Sequence, residues 1–144
     1  MSARLTTQWL GYLGLVPFYA TLLGYALLED YPRSLSVQAF LIYSLAILSF
    51  LGGTLWGHAR TVDDSQQALR LVVSNGIVLF GVACLLTAQT TIAAGALSLG
   101  YLALLWYERR VDGATGWYAS LRRRLTWGVM IAHAGYVVLH IIDA

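Results

Sequence analysis

Residues 71–107 run for 37 positions without a charged side chain. As one helix rising roughly 1.5 Å per residue, the run would be ~55 Å long, against a bilayer hydrocarbon core of ~30 Å. The chain must therefore turn back inside it. The only polar cluster there is Thr87-Ala88-Gln89-Thr90-Thr91, the kind of short hydroxyl and amide stretch that punctuates apolar segments. The run reads as two membrane spans, residues 69–87 and 91–107, joined by a tight hairpin.

The rest of the chain follows the same pattern. Only 11% of the 144 residues are charged, where a soluble domain carries about 25%, and the charges fall in short clusters between apolar runs. Residues 5–28 form span one, with Trp9 and Tyr12 near its start and Tyr25 near its end, the depths at which amphipathic rings favour a membrane interface. Pro17 should kink it by removing a backbone donor and crowding the preceding turn. Pro32 should stop any continuation through the turn after Glu29, and Ser34 or Ser36 can cap span two, residues 37–57. Asp63-Asp64-Ser65 is a natural helix start before span three. Residues 108–124 are the longest polar segment. Trp117, Tyr118, Leu121 and Leu125 line one side of it, which predicts a short interfacial helix leading into span five, residues 125–142. The fold expected is all-α: residues 1–144 as one integral membrane bundle of five transmembrane helices, with no cleavable signal peptide and no second domain.

Arginine counting sets the orientation. Eight of the nine arginines fall on the side shared by the N-terminus, the second loop and the fourth loop, and only Arg33 falls on the other. Short loops with that asymmetry predict N-in, C-out. The net charge of +2 is too small and too localised for nucleic-acid binding. The single cysteine, Cys84, lies in an apolar run and reads as a small buried residue.

Within span two, Ser49, Gly53 and Gly57 recur every fourth residue. Such small-residue ridges let helix backbones approach closely in lipid, so these three are the expected helix-packing positions. The arginines Arg109, Arg110, Arg122, Arg123 and Arg124 fix topology and are the candidates for contact with anionic lipid head groups.

Three pieces of the chain carry a family resemblance: Leu13-Gly14-Leu15-Val16-Pro17-Phe18, Phe50-Leu51-Gly52-Gly53-Thr54-Leu55-Trp56-Gly57, and Trp117-Tyr118 followed by Leu121-Arg122 and Leu125-Thr126. Over nearly its whole length the chain resembles a family of small five-span bacterial inner-membrane proteins of unknown function with a mitochondrial transmembrane-protein relative. His58 stands where that pattern leads one to expect an apolar residue. The resemblance implies a fold and a bacterial inner-membrane location, and no activity, substrate or catalytic residue.

Candidate chemistry centres on span five, where His133, Tyr136 and His140 share one face. Intramembrane ionisable residues are rare and often functional. A haem held by two histidines needs them on facing helices at one depth, yet His133 lies ~12 Å and His140 ~22 Å from the inner end of the same span, by helical rise. His133 is therefore expected to be neutral and to face the bundle. Its partner should be a hydroxyl, amide or carbonyl of another span: Asn75, or a Tyr or Ser of span one or two. A quinone or lipid-head slot could be lined by Tyr12, Tyr19, Asn75, His133 and Tyr136. Asp63 and Asp64 beside His58 are the only grouping with metal-ligand character, and helix capping accounts for both aspartates. No nucleophile elbow or Ser-His-Asp arrangement is present, and the spans supply little of the polar lumen a small-solute channel or transporter needs. The expected function is non-enzymatic and cofactor-free: an accessory or assembly partner of a larger membrane complex, in contact with lipid and with a membrane-protein partner or another copy of itself. The alternative is a small quinone- or haem-binding redox protein using the His133 face.

Overall fold

The computed structural model describes residues 2–61, 65–87, 89–113 and 115–143, with the side chain of Asp112 outside that description. Asp63 and Asp64, expected to open span three, lie outside the described residues. Six helices account for nearly everything described: α1 (Ala3–Leu13), α2 (Val16–Leu27), α3 (Asp30–Thr61), α4 (Gln67–Thr87), α5 (Thr90–Asp112) and α6 (Trp117–Asp143). With α1 and α2 taken together, they give five helices long and apolar enough to cross a membrane. The hairpin demanded by the long uncharged run falls at its polar cluster, between Thr87 and Thr90.

Span one is broken rather than smoothly bent. The Gly14 N–H donates to the Leu10 carbonyl at 2.9 Å and the Leu15 N–H to the Tyr12 carbonyl at 3.0 Å, so the helix tightens at its exit from α1. Pro17 then sits in the first turn of α2, where a missing N–H costs nothing. The break therefore precedes the proline, because its ring crowds the turn before it. Tyr43 pins the break to span two by donating to the Gly14 carbonyl at 2.8 Å.

Span two is longer than the sequence led one to expect. The helix α3 already begins at Asp30, which takes a left-handed φ of 54°. Pro32 lies in its first turn and so does not stop it. Ser34 and Ser36 are helical residues rather than caps, and the Ser36 hydroxyl donates back to the Pro32 carbonyl at 2.9 Å.

Among the described residues, Trp117 to Leu125 do not form a helix separate from span five. Gly113 (φ 83°) and Gly116 (φ 101°) turn the chain, and α6 then runs unbroken for 27 residues. Nothing between Trp117 and Leu125 breaks a helix, so this segment forms the first turns of the span itself.

The spans close into a ring. Each of α2 to α5 packs on the next, α6 returns onto α1 and α2, and α3 also meets α5 across the middle. One stripe of α3 faces inward throughout: Phe40, Ser44, Leu48, Gly52, Leu55 and Ala59. Gly52 makes the close approach to α4, since a Cβ there would lie 2.8 Å from Ile77 Cγ2 and 3.0 Å from the Ser74 carbonyl oxygen. The Ser49, Gly53, Gly57 ridge expected to do this lies about 100° away around the helix. A Cβ on Gly53 or Gly57 would meet nothing within 4 Å, and both residues are exposed. At the end of the bundle opposite the arginine-rich loops, Arg33 pairs with Asp143 and its guanidinium lies 5.0 Å from the Tyr25 ring. That contact joins the end of α2, the start of α3 and the end of α6.

Candidate functional site

Two polar sites emerge, one in the middle of the bundle and one at its arginine-rich end. The first is built around His133, which is 1% exposed. Its Nδ1 lies 2.8 Å from the Val129 carbonyl oxygen, which can only accept, so Nδ1 carries the proton. Nε2 is then free to accept from the Ser44 hydroxyl, 2.7 Å away. The Ser44 carbonyl in turn accepts from the Tyr101 hydroxyl at 2.6 Å. This chain of bonds links α6, α3 and α5 at one level and suits a neutral imidazole. Aromatic rings enclose it: Phe40 at 4.9 Å, and Phe18 and Tyr101 each at 5.6 Å between ring centres.

The neighbours on the same face are similarly engaged. Tyr136 is buried, stacks on Phe40 with ring centres 4.3 Å apart, and donates to the Val37 carbonyl at 3.0 Å. His140 lies 4.8 Å from the Tyr25 ring, with Nδ1 3.2 Å from the Tyr136 carbonyl oxygen. Tyr19 bridges spans one and five by donating to the Gly128 carbonyl at 2.6 Å. Asn75, by contrast, takes no part: it is exposed and donates to the Leu71 carbonyl of its own helix at 2.9 Å. A rotation of about 100°, the step of one residue, decides this, because Ser74 rather than Asn75 faces inward on α4. Tyr12 is also exposed. The slot that these two would have lined with Tyr19, His133 and Tyr136 is therefore not formed, and a packed aromatic core stands in its place. No group of three His, Cys, Asp or Glu side chains gathers among the described residues.

The second site lies where α3, α5 and α6 end near the arginine-rich loops. A cleft of about 490 Å³ opens there, with Thr54, His58, Glu108, Arg109, Tyr118 and Arg122 in its wall. Arg122 is only 6% exposed. Its Nε donates to Glu108 Oε2 at 3.0 Å, Nη1 reaches Thr126 Oγ1 at 3.5 Å, and Nη2 is buried with no hydrogen-bond partner among the described residues. A buried donor left unmade costs about 1–3 kcal/mol, more when it is charged.

Arg122 also forms part of a second, apolar cleft of about 130 Å³ between spans one, two and five, lined by Leu15, Ile47 and Leu51 among others. A third cleft, between α5 and α6, is walled by Arg109, Arg110 and Arg123 with Trp106 and Trp127, and the Arg110 guanidinium lies 5.0 Å from the Trp106 ring. Arg122 thus departs from the surface cluster in which the sequence had grouped it. Consecutive helical residues point about 100° apart, so Arg122 turns inward to Glu108 while Arg123 and Arg124 stay exposed.

Sequence reasoning missed Ser44, Tyr101 and the Glu108–Arg122 pair. A weak signal existed for the first: Phe40, Ser44, Leu48 and Gly52 form a fourfold-spaced stripe that competes with Ser49, Gly53 and Gly57.

The chain belongs to the family described as protein of unknown function (DUF3429), whose model matches residues 3–138. Neither a curated protein nor a solved structure matches it.

Proposed function

We propose that this protein is a non-enzymatic accessory or assembly partner of a larger membrane complex, seated N-in, C-out in a bacterial inner membrane and with a mitochondrial counterpart. The observation that carries the reading is the state of His133. Both ring nitrogens are engaged within the bundle, to Val129 and Ser44, and aromatic rings close the remaining approaches. A buried ionisable group near the middle of span five thus has a structural occupation. The redox alternative would have to break the Ser44 bond to Nε2 and displace packed rings before His133 met a haem or quinone.

Further support comes from the outer surface. Gly53 and Gly57 are open on the flank of α3, with Ser49 half-buried one turn before them and Phe50 and Trp56 exposed beside them, which is the form a transmembrane helix of a partner protein would pack against. Eight of nine arginines at one end of the bundle favour the stated orientation. Arg109, Arg110 and Arg123, with Trp106 and Trp127, suit anionic head groups of the inner leaflet. Nothing in the charge pattern calls for nucleic acid.

The test is purification from native membranes in mild detergent. The reading expects a colourless protein with a stoichiometric second subunit that is lost in Gly53→Leu while the bundle itself stays folded. A haem absorbance band that disappears in His133→Leu would overturn it in favour of the redox reading.

A further inference from the structure

The unpartnered nitrogen of Arg122 points to a ligand that the accessory reading does not require. Three facts meet at this one side chain. Arg122 is buried, yet Nη2 has no partner among the described residues. It stands in the wall of a cleft of mixed lining whose charged members are Arg109, Arg122 and Glu108, with His58 beside them. It also stands in the wall of an apolar slot in which it is the only charged residue among those described. A guanidinium at the junction of a positively biased cleft and an apolar slot has the chemistry to hold an oxyanion whose attached hydrocarbon continues into the slot.

We propose that Arg122 is the anion-recognising residue of a binding site for an amphiphile with a phosphate or carboxylate head group, its chain entering between spans one, two and five. Glu108 holds Nε and so fixes the plane of the guanidinium, leaving Nη2 as its buried, unpartnered donor, which a head group entering beside Arg122 would satisfy. Thr126, within reach of Nη1, orients the fork from the other side. Leu15, Ile47 and Leu51 line the part of the slot that receives the first stretch of chain. The site differs from a surface arginine contact because its cation is already desolvated. Binding should therefore survive salt concentrations that abolish contacts to the exposed Arg123 and Arg124.

The experiment uses the full chain in a neutral maltoside detergent. Native mass spectrometry and thermal melting are followed against lysophosphatidic acid, against lysophosphatidylcholine of the same chain, and against inorganic phosphate. One saturable lysophosphatidic acid site is expected, with at least tenfold weaker binding of the other two. Arg122→Gln alone strands Glu108, so the informative variant is Arg122→Gln with Glu108→Gln, which keeps a neutral hydrogen-bonding pair. It should lose tenfold or more in affinity while Arg123→Gln with Arg124→Gln loses little. Leu51→Trp, which fills the slot, should weaken lysophosphatidic acid binding to the same extent. Equal binding of free phosphate would remove the slot from the account and overturn the amphiphile proposal. Unchanged binding in the double glutamine variant, or no saturable binding by the wild-type chain, would overturn the Arg122 site altogether.

Discussion

Removing Ser44 and His133 singly and together measures the bond at the centre of the bundle. In the wild-type chain the Ser44 hydroxyl donates to Nε2 of His133 across 2.7 Å, and Nδ1 donates to Val129 across 2.8 Å. Side-chain hydrogen bonds between membrane helices contribute about 0.6 kcal/mol on average and at most about 1.7 kcal/mol, because a chain unfolded within the membrane also finds partners. His133→Leu forfeits both bonds and leaves the Ser44 hydroxyl to fold back on its own helix, so a loss of about 1–2 kcal/mol is expected. Ser44→Ala forfeits one bond and leaves Nε2 buried without a donor, for a loss of about 1 kcal/mol. His133→Gln keeps an acceptor within reach of Ser44 and should fall between His133→Leu and wild type. The double variant should be less destabilised than the sum of the single ones, with a coupling of about 0.6 kcal/mol or more. Reversible unfolding in mixed micelles, followed by circular dichroism, gives all four values of the cycle. A coupling indistinguishable from zero, or a His133→Leu chain as stable as wild type, would refute the claim that this bond ties span five to span two.

The glycines of span two give a sharper contrast. Gly52→Ala should cost about 1–3 kcal/mol, since its Cβ meets Ser74 backbone at 3.0 Å, whereas Gly53→Leu should leave the melting temperature of the isolated bundle almost unchanged; equal losses would mean the helix is rotated from the orientation described. For topology, alkaline phosphatase fused to the C-terminus should be active in the periplasm, and activity only from fusions between Arg109 and Arg124 would reverse the assignment. Asp143→Asn removes the exposed ion pair with Arg33 and should cost no more than about 1 kcal/mol, measured by the same unfolding assay.

How much of this was legible in the sequence depends on contrast. Span number and the Thr87–Thr90 hairpin could be read because charge and length are decisive over 37 uncharged residues. His133 could be assigned a hydroxyl, amide or carbonyl partner on another span, because a deep imidazole has few alternatives; Asn75, the nearest by depth, turns away, and Ser44 of span two fills the role. Rotation about each helix axis was not legible. In lipid, the outward and inward faces are both apolar, so periodicity cannot tell Gly52 from Gly53 or Ser74 from Asn75. Arg122, Arg123 and Arg124 are chemically identical neighbours, and only the position of Glu108 on the facing helix selects which one turns inward. Pro32 misled for a different reason: the residue that ends a helix from within is harmless in its first turn.

The most direct test of the accessory role is photo-crosslinking from span two in native membranes. A maleimide-linked diazirine on Gly53→Cys should yield one discrete heavier species containing a different membrane protein, while the same probe on Leu79→Cys, at an exposed position of α4, should yield none. Identical patterns from the two positions, or an adduct composed of this chain alone, would contradict it.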